Sequence, residues 1–154
     1  MTRHFAYVAL AAGICACATP QTRIPETASP ANATTENAES VVKAFVAAYN
    51  RHDVPAMLEL VDSSFVWLNL EGDSVQVETR GPDALKRGME SYFRSIPTAQ
   101  STLETISSLG PWVSATERAH WRTSSGARSQ AALSVYEVRE GRVRRVWYYP
   151  VVRE

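Results

Sequence analysis

Between Val42 and Val61 the apolar positions follow a helical period twice. Val42, Phe45, Val46 and Tyr49 stand at i, i+3, i+4 and i+7, which predicts one buried face of a helix from about Asn37 to Asn50. Asn50-Arg51-His52 interrupts the pattern. Asp53 is a natural N-cap, Pro55 is tolerated in a first turn, and Val54, Met57, Leu58 and Val61 repeat the spacing in a second helix. Phe65 to Leu70 and Val75 to Thr79 are then rich in β-formers around Glu71-Gly72-Asp73-Ser74, a hairpin signal. Gly81-Pro82-Asp83 opens a third helix, with Leu85, Met89, Tyr92, Phe93 and Ile96 as its buried stripe and Pro97 as its stop. From Ser101 onward the chain reads as strands over about 101–109, 112–123, 128–139 and 142–150, parted by Gly110-Pro111, Ser124-Ser125-Gly126 and Glu140-Gly141. Helices first and a long meander last predict an α+β domain, with helices on one face of a curved, mostly antiparallel sheet.

Upstream the pattern changes. Arg3 and His4 precede an apolar run from Phe5 to Ile14 that is too short to span a bilayer and reads as a secretory signal. Its end, Ile14-Cys15-Ala16-Cys17, resembles a bacterial lipobox, with an aliphatic residue three before the acceptor thiol and a small one immediately before it. The resemblance implies lipidation of Cys17; Cys15 at the second position departs from the pattern, and cleavage without lipidation is the alternative. Ala18 rather than Asp after Cys17 implies, for a host with two membranes, an anchor on the outer membrane facing the periplasm. Residues 18–36 are rich in Thr, Ala and Pro and poor in large apolar side chains, so they read as a tether. The expected organisation is a signal peptide over 1–16, a tether over 17–36 and one domain over 37–152.

Charge and cysteine content narrow the chemistry. The formal net charge is zero, which offers no electrostatic case for a nucleic-acid partner. Both cysteines lie in the leader, so the domain has no disulfide, no thiolate nucleophile and no cysteine metal site. His52 and His120 lack the spacing and carboxylate company of metal ligands, and no metal or cofactor is expected. The run Arg139, Arg142, Arg144, Arg145 reads as a solvated hairpin surface.

The order and spacing of these elements over residues 37–152 resemble the nuclear transport factor 2-like superfamily, in particular its SnoaL-like and ketosteroid isomerase-like members. The resemblance implies a cone-shaped fold with three N-terminal helices packed on a curved sheet. Ketosteroid isomerases work with a carboxylate base and an oxyanion hole made by a tyrosine and a protonated aspartic acid. Laid over this chain, the tyrosine falls on Phe45, the base on Asn69 and the aspartic acid on Ser134, so that catalytic set is not expected here.

The same overlay turns Glu117, Ala119 and Trp121 to the concave side, with Ser134 and Tyr136 on the next strand and Arg144, Val146 and Tyr148 on the last. Tyr49, Trp67, Asn69, Glu117, Trp121, Ser134, Tyr136 and Tyr148 are the expected ligand-binding residues of a cup for a small apolar molecule. Its aromatics would otherwise simply fill a core. Glu117 is the candidate acid or base; a pairing with Arg144 or a place at the solvated rim is the competing role. Trp112, Trp147 and Tyr149 should point the other way; the resemblance implies a homodimer through the sheet, with a partner protein or partial exposure beside the tether as the alternatives. Three functions follow: an exported, lipid-anchored binding protein that touches the membrane only through its anchor, a cofactor-independent isomerase- or cyclase-type enzyme, or an envelope assembly module.

Overall fold

The structure, a computed structural model, describes residues 30–153, with side chains from residue 37 onward. The leader and Cys17 lie outside the described residues. Three helices, α1 (Pro30–Asn50), α2 (Val54–Glu59) and α3 (Pro82–Ser95), accompany seven strands. These are β1 (Val61–Glu71), β2 (Ser74–Arg80), β3 (Gln100–Leu109), β4 (Trp112–Thr123), β5 (Gly126–Arg139), β6 (Arg142–Tyr148) and β7 (Val152–Arg153). They form one sheet in the order β2-β1-β6-β5-β4-β3, with the short β7 pairing β5. Every pairing is antiparallel except that of β1 with β6, which joins the first strand to the last long one in parallel. This is the α+β arrangement expected from the order of elements.

Alpha-helix α1 starts at Pro30, so residues 30–36, read from composition as tether, form its first turns. Alanine and glutamate are good helix formers, and a proline at the start costs no intrahelical hydrogen bond. The reading of Val61 as a helical residue is corrected too. Helix α2 ends at Glu59, and the carbonyl of Leu60 accepts the Val143 N–H at 2.8 Å, which draws the chain into the sheet beside β6. Asp53 caps α2 by accepting the Ala56 N–H at 3.1 Å. Replacing it with alanine is expected to cost about 1 kcal/mol, measured as a lower urea midpoint; an unchanged midpoint would show that the cap contributes nothing.

Helix α1 lies across β3 to β6, while α3 covers β1 and β2. Between helices and sheet the core is closed by Val42, Phe45, Met57, Phe65, Leu85, Val113, Tyr136, Val143 and Val146, all buried. Between α1 and α2, His52 adopts a left-handed φ of 55°, stacks on Phe93 with centroids 4.0 Å apart, and presents Nε2–H to the Ala99 carbonyl at 2.9 Å. Asn50 completes the corner. Its side chain donates to the Ser101 carbonyl at 2.8 Å and accepts the Ser101 N–H at 2.7 Å, pinning the start of β3 to the end of α1.

Candidate functional site

The helices do not fill the whole concave face. A cavity of about 760 Å³ remains, open at one end, in the size range of sites for small molecules. Helix α1 contributes Phe45 and Tyr49, α3 contributes Met89 and Tyr92, β1 contributes Trp67 and Asn69, and the inner sheet contributes Ser101, Glu117, Tyr136 and Tyr148. The sheet alternation that places Glu117 and Ala119 inward on β4 does the same for Tyr136 on β5 and Tyr148 on β6.

Glu117 is the polar centre. Its Oε1 accepts the Ser101 hydroxyl at 2.7 Å, and its Oε2 accepts the hydroxyls of Tyr136 and Tyr148, each at 2.7 Å. The two phenol oxygens are 3.0 Å apart. Neither expected alternative for Glu117 holds, since it is neither paired with Arg144 nor left at a solvated rim. Three of the roughly four lone-pair directions of the carboxylate are engaged, so its first effect is to aim the tyrosines. Burial, and after it the negative charge of Glu117, pushes the hydroxyl pKa of Tyr136 and Tyr148 well above the ordinary phenol value. Tyr49 is also raised, by burial first and then by its hydrogen bond to the Tyr92 hydroxyl at 3.2 Å. Around this centre, Trp67 stacks on Tyr148 with centroids 5.1 Å apart and planes 17° from parallel. Phe45 sets its ring edge-on to Tyr136, with centroids at 6.5 Å.

Six of the eight expected ligand-binding residues line this cavity: Tyr49, Trp67, Asn69, Glu117, Tyr136 and Tyr148. Trp121 and Ser134 do not. Trp121 shares the facing of Glu117, but it pairs with Arg128 one step beyond the Ala119–Gln130 pair where the lining ends. Ser134 faces the same side as Tyr136 and Tyr148 but is fully buried between its strand partners Ala115 and Tyr148, and it donates to the Ala115 carbonyl at 3.4 Å. Arg144, by contrast, leaves the concave face. A bulge makes Glu137 pair with Arg145 and Val138 with Val143, so Arg144 is the extra residue. Its charge instead attracts Asp62, whose carboxyl is held below the usual range mainly by hydrogen bonds from Ser64. Arg139 and Arg145 pair with the buried Glu137 at 3.0 and 3.4 Å, so half of the arginine run answers a carboxylate instead of facing only solvent.

Several lining residues carried no sequence signal for a site. Met89 and Tyr92 belong to the apolar stripe of α3, which reads as ordinary core, and Ser101 is one serine among many near the start of β3. Tyr149 was expected on the convex face, yet it lines the cavity with Pro150 and Val151. Strand β6 ends at Tyr148, and Pro150 has no N–H to extend the ladder, so the chain leaves the pleat there. Trp112 and Trp147 do lie on the convex face, their rings 5.8 Å apart and Trp112 40% exposed. Among the described residues no three His, Cys, Asp or Glu side chains gather as metal ligands.

Solved structures share this architecture. Bal32a from a soil-derived mobile gene cassette is 19% identical with a TM-score of 0.65, over 75% of this chain and 89% of that one. An LEH-like epoxide hydrolase of M. tuberculosis is 20% identical with a TM-score of 0.59, over 75% of this chain and 83% of its own. A cystatin fold protein from Novosphingobium aromaticivorans is 22% identical with a TM-score of 0.63, over 73% of this chain and 96% of its own. At these identities the likeness speaks for the fold alone. No curated protein sequence matches the chain significantly. The profile of the SnoaL-like domain, however, matches residues 42–146, from Val42 of α1 to Val146 of β6. A profile spanning that much of the chain, on helices that cover a curved sheet and leave a cup beneath them, makes this chain a member of the SnoaL-like domain family with the nuclear transport factor 2-like fold.

Proposed function

We propose that the protein binds a small, largely apolar molecule in the cup, as an exported domain lipid-anchored through Cys17 and lacking the ketosteroid isomerase catalytic set. The observation that carries this reading is the 760 Å³ cavity, walled by seven aromatic side chains around a few hydrogen-bonding groups. Phe45, Asn69 and Ser134 stand where that catalytic set would be, and Ser134 does not reach the cavity. The lipobox-like Ile14-Cys15-Ala16-Cys17 supports the anchor as the only membrane contact, and Ala18 after it supports an address on the outer membrane, facing the periplasm. The exposed Trp112 beside Trp147 supports a homodimer through the convex face. Native mass spectrometry of the protein purified gently from its host tests both points. A retained apolar molecule on a dimer is the expected spectrum; a monomer that stays empty against a broad metabolite extract would sink the reading.

A second reading has its own support, because Glu117 and two tyrosines meet at the cavity wall. In an isomerase- or cyclase-type enzyme Glu117 would move the proton, and Glu117→Gln would lower turnover by about 10²- to 10⁴-fold. In a binding protein the same change leaves the affinity for an uncharged ligand nearly unaltered. Comparing turnover with affinity in one variant separates the two.

A further inference from the structure

We infer that the cavity is selective for apolar organic cations, molecules with a hydrophobic body and a quaternary or protonated amine. This rests on the reading of the cup as a binding site and names its ligand class. Three carboxylates, Glu71, Glu78 and Glu117, belong to the lining, while no lysine, arginine or histidine does. An anion entering the cup would find three negative charges and no counter-charge, and an uncharged molecule would leave that field unanswered.

The hydrogen-bond directions point the same way. Ser101, Tyr136 and Tyr148 turn their donors into Glu117, Tyr49 donates to Tyr92, and the Asn69 amide donates to Glu78 at 3.2 Å. What Glu117, Tyr136 and Tyr148 offer the cavity is therefore oxygen lone pairs, which suit an N–H donor or a positive charge. The rings supply the rest. Tyr49, Trp67, Tyr92, Tyr136, Tyr148 and Tyr149 surround the space, and aromatic faces attract an ammonium whose charge is spread over carbon-bearing groups. Glu71 and Glu78 sit exposed on β1 and β2 at the mouth, where their field acts on approach and weakens with salt, whereas Glu117 acts inside.

The test is calorimetric titration with a matched set of probes: benzyltrimethylammonium, its uncharged carbon isostere neopentylbenzene, and the anion phenylmethanesulfonate. The expected result is binding of the cation at least tenfold tighter than neopentylbenzene, with the sulfonate weakest. The doubly neutralised E71Q/E78Q variant, altered only on exposed strand positions, should slow cation association and flatten its salt dependence. E117Q should reduce the cation preference itself. A preference below tenfold, or tighter binding of neopentylbenzene, overturns the inference while leaving the binding cup intact. Failure of all three probes to bind at millimolar concentration removes the inference and the cup together.

Discussion

Above pH 10 the protein is expected to lose folding stability steeply, by up to about 4 kcal/mol for each further pH unit. Tyr49, Tyr136 and Tyr148 all have their hydroxyl pKa raised in the folded state, by burial first, with Glu117 adding to the effect at Tyr136 and Tyr148. An unfolded tyrosine releases its proton near pH 10. Over the window above that value the folded chain holds protons that the unfolded chain has lost, so the free energy of unfolding falls as pH rises. Below pH 10 both states are protonated and the three contribute their full stability. Each group supplies up to one proton to the slope, and three together exhaust an ordinary stability of about 5–15 kcal/mol within a few pH units. Urea unfolding followed by circular dichroism between pH 9 and 12 reads the slope directly. Tyr136→Phe should lower the proton count by one. A wild-type slope of one proton or fewer, or phenolate absorbance that appears near pH 10 in the folded protein for all tyrosines, would contradict the buried hydroxyl cluster.

Phe65→Ala is expected to destabilise the domain by about 3–5 kcal/mol, the cost of lost burial plus the cavity left behind. Phe65 is fully buried on β1, its ring 6.5 Å from that of Phe45 on α1. Its backbone is held separately, since its carbonyl accepts the Gly81 N–H at 2.7 Å, so collapse of the chain into the void is restricted. Truncation of Leu133, 45% exposed on the convex face, should by contrast stay within about 0.5 kcal/mol. The comparison is of urea midpoints at constant slope; a loss below about 1 kcal/mol at Phe65 would mean that its surroundings repack freely.

What the chain discloses and what it conceals divide along physical lines. Val42, Phe45, Val46 and Tyr49 reveal α1 because a helix with one buried face must repeat them every 3.6 residues. Glu117, Tyr136 and Tyr148 were legible as one wall because strand alternation is a parity rule, and it holds wherever register is unbroken. Arg144 escaped it, since one extra residue resets the parity and a bulge has no residue signature of its own here. Val61 was misread because a helical spacing of seven and a strand start look alike until the Leu60–Val143 hydrogen bond decides between them. Ser101 was invisible for another reason. Its partnership with Glu117 depends on Asn50 from a distant helix end, a tertiary event that no local pattern encodes.

The parallel pairing of β1 with β6 bears on the order of events in folding. Val61 lies opposite Val143, and Asn69 opposite Tyr148, so the two strands meet only after nearly the whole domain between them is available. Closing so long a loop is entropically slow compared with forming the neighbouring β4–β5 and β5–β6 hairpins. The stacked Trp67 and Tyr148 sit on either side of that last seam. The cup is therefore a late product of folding: the antiparallel meander can assemble first, but a chain that has not yet docked its first strand has no place to hold a ligand.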